Sequence, residues 1–423
     1  MGAELIVVGL FAGATSWLVC FLVSGMHKTT KLGKDDHTND KPQRMHHHDV
    51  SRLGGVGVIL GLWVCVILAF PGESSASGPA MSPLFWLLIA GAPVFLIGFA
   101  EDITGRMPPS LRMLAIITSV FAASNLLDAV LHLPFLTSGI LALALSLAFT
   151  CLCVAGVTNA FNIIDGLNGL AAGIGIIAMA ALGWLAHSLG DIYLVHLCWT
   201  TGMVILGFML VNYPFGKIFL GDAGAYLIGF LGAEISVLMV VRHPEVSWFF
   251  PVAVLIYPVT EVLFSMYRRR GKNRKAQHAD ALHLHSLVHK RMNRWRAGSH
   301  RYAALRNSIS STFFWVWNSI NGLLALLIWD NTGALIGLCL ANIIFYTGMY
   351  LHLIYYKTPR WMILREKPDM VQTEFSFSGL EPTQLFKPKE SMANSNGIPE
   401  PNGVPMSKPA VAQKMEYAQR LLL

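Results

Sequence analysis

Asn159, Asn162, Asp165 and Asn168 recur every three residues in Asn159-Ala160-Phe161-Asn162-Ile163-Ile164-Asp165-Gly166-Leu167-Asn168-Gly169-Leu170. On a helix this spacing makes a slowly rotating polar stripe. The Asp-Gly and Asn-Gly pairs favour a break or tight turn within it. The segment adjoins long apolar stretches, where unpartnered polar groups are costly. Interhelical hydrogen bonds would satisfy them, but a polar substrate head at a membrane edge fits three amides and a carboxylate better. A further carboxylate, Asp222, stands in Phe219-Leu220-Gly221-Asp222-Ala223-Gly224-Ala225. Gly221 and Gly224 let backbone approach a bulky anion, and a helix starting there would turn its amide groups toward phosphate. Asp222 also suits the N-cap of such a helix.

Three more segments carry polar chemistry. Gly98-Phe99-Ala100-Glu101-Asp102 ends an apolar stretch on adjacent carboxylates. These repel each other and resist desolvation unless a cation or basic group is near; carboxylates at a helix end in water are the plain alternative. Asp280-Ala281-Leu282-His283-Leu284-His285-Ser286 follows Arg268-Arg269-Arg270. His283 and His285 fall on opposite sides of an ideal helix but on one face of an extended stretch. The lack of nearby Cys argues against zinc. Basic and imidazole groups converging on phosphate is the better reading, and a lipid-binding polybasic loop the alternative. The earliest segment, 40–55, holds Arg44, His46, His47, His48, Arg52, Gly54 and Gly55. A solvated basic loop before a helix start has the same composition, and adjacent loop histidines are weak grounds for a metal.

Something must hold these segments together, and composition says what. The 423 residues are 54% hydrophobic and 13% charged, against about 25% charged in a typical soluble domain, and the mean hydropathy is +0.53. That excludes a long soluble enzyme and a disordered or nucleic-acid-binding chain. Eleven apolar blocks can be drawn, at 3–24, 53–70, 83–100, 111–127, 138–158, 167–189, 193–212, 223–242, 247–267, 309–329 and 333–354. Most have the length that spans a bilayer. The expected fold is an all-α integral membrane protein of about eleven transmembrane helices. With the N-terminus outside and the C-terminus cytoplasmic, the inner connections hold 21 lysines and arginines and the outer ones only Arg242. Such a bias orients a membrane protein. The net charge of +7 is then a topology signal and an attraction to anionic lipid, and needs no nucleic acid. All five polar segments fall on the inner side.

The six cysteines lie within apolar blocks and suggest buried thiols, not a disulfide framework. No cleavable signal peptide is evident, because the first apolar block starts almost at Met1 without a basic leader. Glu261 lies inside the ninth block and needs either a basic partner or the cytoplasmic end. Residues 1–355 read as one polytopic domain, and the Pro-rich, polar stretch 356–423 as a disordered cytoplasmic tail.

Together the five segments resemble the polyprenyl-phosphate N-acetylhexosamine-1-phosphate transferase family, over about residues 1–355. Residues 159–170 are similar to its Asn-x-x-Asn-x-x-Asp-Gly-x-Asp-Gly-Leu pattern, 219–224 to Phe-x-Gly-Asp-x-Gly, and His283-Leu284-His285 to the His-x-His of the sugar-recognition loop. Arg44, His46, Arg52, Gly54 and Gly55 resemble its first cytoplasmic motif. Departures are Glu101-Asp102 for Asp-Asp, Asn168 for the later Asp, Ser286 for a His and Ser51 for a Pro. The muramyl-pentapeptide branch ends its last motif in His-His-His and resembles the chain less.

The resemblance implies transfer of a sugar-1-phosphate, expected to be an N-acetylhexosamine, from a UDP-sugar to undecaprenyl phosphate. The products would be UMP and an undecaprenyl-diphospho-sugar that starts a lipid-linked envelope polysaccharide such as O-antigen, as in lipopolysaccharide biosynthesis. It implies Mg²⁺, with Mn²⁺ as a substitute, at Asp222, Asp102 and Asp165. Glu101, Asp102, Asp165 and Asp222 would be catalytic, and Arg44, His46, Asn159, Asn162, His283 and His285 would bind substrate. Direct attack by the acceptor phosphate and a phospho-enzyme route both remain open. The setting would be the bacterial cytoplasmic (inner) membrane, with the site facing the cytoplasm and a homodimer as a further expectation. The rivals are a phospho-MurNAc-pentapeptide transferase and a polytopic transporter, whose polar groups usually sit nearer the midplane.

Overall fold

The computed structural model describes residues 3–26, 50–69, 74–75, 78–79, 83–133, 139–270, 283–292 and 300–354. Arg44, His46 and the proposed tail lie outside the described residues. The described residues form α1 (Ala3–Met26), α2 (Gly54–Ala69), α3 (Pro83–Thr104), α4 (Pro109–Leu126), α5 (Ile140–Ile164), α6 (Leu170–Ser188) and α7 (Ile192–Asn212). These are followed by α8 (Gly221–Arg242), α9 (Phe249–Val254), α10 (Ile256–Arg270), α11 (Leu284–Met292), α12 (His300–Leu327) and α13 (Thr332–Ile354). Between α2 and α3, two-residue strands β1 (Ser74–Ser75) and β2 (Gly78–Pro79) pair antiparallel.

Eight helices, α1, α3 to α8 and α13, are long and apolar enough to cross a membrane. The shorter apolar α2, the α9–α10 pair and α12 take up the remaining apolar blocks. The chain is an all-α, multi-pass membrane protein, as its composition predicts. Large apolar side chains stay exposed on its flanks, such as Phe11, Ile140, Leu152 and Ile344. In water they would be a liability; hydrocarbon is the surround they fit.

α8 is the centre. It is apolar on nearly every face, and almost all its residues are buried, as expected of a helix packed on all sides. α2, α3, α5 and α6 pack around it. At its N-terminal end the approach of α2 is close enough to need glycine. A Cβ on Gly55 would lie 2.4 Å from the Gly224 amide nitrogen.

The ninth apolar block is broken, and the sequence explains where. Pro258 has no N–H to give the Val254 carbonyl four residues back, and the helix divides at Leu255. The orphaned Val254 oxygen accepts from Asn318 Nδ2 on α12 at 3.1 Å, so a polar side chain inside the bundle satisfies it. α12 and α13 are joined similarly. Asn342 Nδ2 donates to Asn321 Oδ1 at 2.5 Å and Trp317 Nε1 donates to Asn342 Oδ1 at 2.8 Å.

Two local expectations are corrected. The connection between the ninth and tenth blocks contains a helix, α11, and α12 begins at His300 rather than near 309. The added turns of α12 carry the buried Asn307 and Ser308, polar residues that hydropathy alone assigns to a loop.

Candidate functional site

The chain from Ser51 to Gly55 lies along 219–220. Phe219 N donates to Ser51 O at 2.8 Å, Gly54 N to Phe219 O at 2.9 Å and Gly55 N to Leu220 O at 2.9 Å. Gly221 follows at φ +75°, and a Cβ there would sit 2.0 Å from the Arg52 carbonyl oxygen and 2.6 Å from Asp102 Oδ2. Only glycine fits both the left-handed backbone and the space. The turn delivers α8 with its first amides facing the end of α3. Asp102 Oδ1 accepts from Asp222 N at 2.8 Å and Oδ2 from Ala223 N at 2.9 Å.

This corrects the expected cap. Leu220 occupies the N-cap position and offers no side-chain bond, so the cap comes from Asp102, 120 residues earlier in the chain. The α8 amides expected to face phosphate are turned to that buried carboxylate. Asp222 is left half-buried, its carboxylate not needed to start the helix.

Asp165 follows the last residue of α5, where the polar stripe predicted a break. Burial first, and then the Asp222 carboxylate, push the Asp165 carboxyl well above the usual range, with Arg52 pulling the other way and Asp102 adding to the rise. Asp165, Asp222 and Asp102 thus share one electrostatic neighbourhood with Arg52 as its nearby cation. Sequence reasoning placed Arg52 only in a motif and gave it no role.

Beside it, Asn162 Nδ2 donates to the Tyr226 hydroxyl at 3.0 Å. Tyr226 also meets the Arg112 guanidinium, which interacts with Glu101 and Asp222. Glu101 itself accepts from Met107 N at 2.5 Å. Tyr226 and Arg112 were missed by the sequence reading. The only hint was spacing, since Tyr226 is four residues, about one helical turn, beyond Asp222. Asn159 is exposed one turn back along α5.

Asn168 stands apart from these groups. It is buried, its backbone N donates to Asn307 Oδ1 at 2.7 Å, and its Nδ2 donates to Pro214 O at 3.1 Å. Its carbonyl accepts from Ser311 Oγ at 2.7 Å, while the Pro214 oxygen also receives Ser308 Oγ. Gly169, at φ +71°, gives its N–H to Asn212 Oδ1 at 2.6 Å. The turn after Asp165 is therefore clamped by α7 and α12, and the amide at 168 is suited to that clamp because it can donate.

His283 and His285 are both buried. Their rings lie parallel, with centroids 5.5 Å apart, although α11 begins between them. The one-face expectation for an extended stretch is met because His283 precedes the helix. His283 Nδ1 is 2.9 Å from Glu261 Oε1, which supplies the partner that Glu261 needed. His285 Nε2 abuts the Asp165-Gly166 turn, 2.7 Å from where a Gly166 Cβ would stand. Burial and the flanking His283 and His289 depress His285 to about 4, against the pull of Glu261, so it is neutral at physiological pH.

Among the described residues, no three His, Cys, Asp or Glu side chains converge closely enough to hold a metal ion unaided. The donor set that does exist is two hard carboxylates, Asp165 and Asp222, whose charges are coupled. That number and chemistry fit a cation such as Mg²⁺, which typically takes one or two carboxylates and completes its shell with water and substrate phosphate.

Apolar helices thus surround a polar end at which segments 51–55, 98–107, 162–169, 213–226 and 283–285 meet. The class so defined is a multi-pass membrane protein with a carboxylate-rich site at one end of its bundle. The model of glycosyl transferase family 4 matches residues 84–240, a stretch that holds Glu101, Asp102, Asn159, Asn162, Asp165 and Asp222. Over that stretch the chain is similar to members of that family. It is 26% identical over 261 residues to a probable undecaprenyl-phosphate N-acetylglucosaminyl 1-phosphate transferase of Bacillus subtilis (strain 168), covering 60% of this chain and 69% of the relative. It is 28% identical over 310 residues to a decaprenyl-phosphate N-acetylglucosaminephosphotransferase of Mycobacterium tuberculosis (strain ATCC 25618 / H37Rv), covering 67% and 75%. A phospho-N-acetylmuramoyl-pentapeptide-transferase of Staphylococcus carnosus (strain TM300) is 24% identical over 315 residues, covering 71% and 91%.

Proposed function

We propose that the protein transfers N-acetylhexosamine-1-phosphate from a UDP-sugar to undecaprenyl phosphate. The observation that carries this reading is the coupled Asp165 and Asp222 pair beside Arg52 at one end of an apolar bundle. A polyprenyl tail needs hydrocarbon, while its phosphate must meet a water-soluble nucleotide. A polar site at the edge of a membrane domain serves both. The relatives' names support the reaction class, and two of the three quoted act on N-acetylglucosamine.

In the reaction, an acceptor phosphate oxygen bonds to the sugar-bearing phosphorus and the bond from that phosphorus to UMP breaks. The obstacle is anion meeting anion. Asp165 and Asp222 would hold Mg²⁺, or Mn²⁺ in its place, which when bound offsets the diphosphate charge and that of the departing UMP. Asp102, with both oxygens on α8 amides, orients Asp222. Arg52 adds positive charge beside the carboxylates, and Asn162 with Tyr226 and Arg112 forms the wall against which the donor is placed. Glu101 is the candidate to take any residual acceptor proton; a phosphate monoester loses its second proton near pH 6, so little abstraction is needed.

The same proposal places the site on the cytoplasmic face of a bacterial inner membrane, supported by the 21-to-one distribution of basic residues. It also makes the product the start of an envelope polysaccharide such as O-antigen.

The test is UMP release by purified protein given undecaprenyl phosphate, Mg²⁺ and either UDP-N-acetylhexosamines or a muramyl-pentapeptide nucleotide. Release from the former alone is expected. Asp222→Ala is expected to abolish release yet elute and melt as wild type does, because Asp102 caps α8. Wild-type-like turnover by that variant would remove Asp222 from the metal.

A further inference from the structure

Asn168 and Gly169 have every backbone hydrogen-bonding group met by a side chain, mostly from one helix. The Asn168 N–H donates to Asn307 Oδ1 at 2.7 Å, the Asn168 carbonyl accepts from Ser311 Oγ at 2.7 Å, and the Gly169 carbonyl accepts from Trp315 Nε1 at 3.1 Å. The Gly169 N–H donates to Asn212 Oδ1 of α7 at 2.6 Å. Asn307, Ser311 and Trp315 are spaced by four, so they rise along one face of α12 about a turn apart. Their roles are fixed by chemistry, since backbone and indole N–H groups only donate and a carbonyl only accepts. The fit is close. A Cβ on Gly169 would lie 3.0 Å from the Trp315 and Tyr213 rings, and one on Gly173 would lie 2.0 Å from Trp315 Nε1.

Buried backbone groups need partners, but a ladder of side chains from a separate helix also fixes where the turn stands. What it places is Asp165, three residues before Asn168. Asn162 Nδ2 meets the Tyr226 hydroxyl at 3.0 Å, and Gly229 packs against Thr158 and Phe161. Later residues of α5 thus meet earlier residues of α8, and the two helices run antiparallel. From the Asn162–Tyr226 contact, about one turn onward along α5 is Asp165 and one turn back along α8 is Asp222.

We propose that Asn307, Ser311 and Trp315 are positioning residues: α12 holds the 165–169 turn so that Asp165 stands with Asp222 for the divalent cation. This rests on the transferase reading and deepens it, by naming what sets the affinity of the site for metal. The three act through Asp165. A turn that visits other placements is competent only part of the time, and the apparent affinity falls by that fraction.

The test uses full-length protein in detergent and two readouts. One is binding of Mn²⁺ alone, followed by the electron paramagnetic resonance of the free ion, with Asp222→Ala reporting ions bound elsewhere. The other is UMP release from UDP-N-acetylglucosamine and undecaprenyl phosphate across a Mg²⁺ series. Trp315→Phe keeps an aromatic ring, and the Gly169 carbonyl still accepts from Gly173 N at 2.8 Å, so this variant is expected to fold. Trp315→Phe and Ser311→Ala are each expected to raise the Mn²⁺ Kd, and the Mg²⁺ concentration for half-maximal release, about three- to ten-fold, the worth of one hydrogen bond. High Mg²⁺ is expected to restore turnover. Thr312→Ala, one residue along α12 with its hydroxyl 3.2 Å from that of Tyr213, is expected to change neither. A clamp that only stabilises the fold would lower the thermal midpoint, or kcat at every Mg²⁺ concentration, and leave the Mn²⁺ Kd in place. A Mn²⁺ Kd within about two-fold of wild type in both variants, or in Trp315→Phe alone if Ser311→Ala is not recovered folded, would overturn the proposal. So would wild-type protein that binds no Mn²⁺. If wild-type protein binds Mn²⁺ but releases no UMP, the transferase reading fails, and the Kd decides the positioning role by itself: a raised value supports it and an unchanged one overturns it.

Discussion

Asp102 and Asp222 are joined by one hydrogen bond but have separate duties. Asp102 spends both oxygens on the first amides of α8, and Asp222 is coupled through its charge to Asp165. Asparagine at 102 keeps the shape but can accept with one oxygen only. Asp102→Asn is therefore predicted to cost about 1–3 kcal/mol, seen as a lowered thermal midpoint in detergent together with reduced turnover. Asp222→Ala is predicted to lose turnover with no change in midpoint. Equal midpoints for the two variants would contradict this division of labour. Asn168 follows the same logic in reverse. The resemblance suggests a carboxylate there, but Nδ2 gives its hydrogen to Pro214 O, which a carboxylate could not do.

Among the elements, the interrupted ninth block is the most informative. Its break leaves the Val254 carbonyl inside a helical bundle, and Asn318 reaches it from α12. The break matters to the site because α10 carries Tyr257 and Glu261 onward to α11 and the two histidines. Asn318→Leu removes the donor and leaves a buried carbonyl oxygen unpaired. A loss of about 1–3 kcal/mol is predicted, measured by thermal unfolding. No change in stability would mean that another donor satisfies Val254. α8 works differently. It has no polar face to orient it, so it is positioned by close glycine contact with α2 and by a cap borrowed from α3.

The whole molecule has two polar ends. Opposite the site, Asp191 caps α7 through Leu194 N at 3.0 Å and binds Arg242 Nε at 2.6 Å and His243 Nε2 at 3.0 Å. Burial raises the Asp191 carboxyl, but the Arg242, Leu194 and His243 hydrogen bonds outweigh it and hold it below its ordinary value. A carboxyl lowered on folding contributes stability above its unfolded pKa, about 3.9, and loses it as pH falls through the folded value. Asp191→Asn is predicted to lower stability by about 1–2 kcal/mol at neutral pH, a modest figure because Arg242 is 41% exposed and screened. The gap to wild type should close in thermal melts as pH falls through that lowered folded value. A gap that persists there would show that packing, not charge, ties the α6–α7 turn to the end of α8.

Much of this was legible along the chain. Apolar length and low charge dictate membrane helices, because a bilayer-length apolar run satisfies its own backbone groups in hydrocarbon as a helix, and each of the eleven apolar blocks holds helix among the described residues. The Asn-x-x-Asn-x-x-Asp stripe, the Gly-Asp-x-Gly turn and the His-x-His pair could be picked out as chemistry since polar residues beside bilayer-length runs need a reason. Partner choice was not legible. Nothing local to Asp102 says that it caps a helix 120 residues away, nor does Glu261 announce His283, or Asn318 the Val254 carbonyl. Tyr226 and Arg112 read as ordinary helix residues until α4, α5 and α8 bring them together. Hydropathy is a sum over neighbours in sequence and survives any arrangement of the helices. A hydrogen bond is a distance between two atoms, and that distance exists only once the helices have packed.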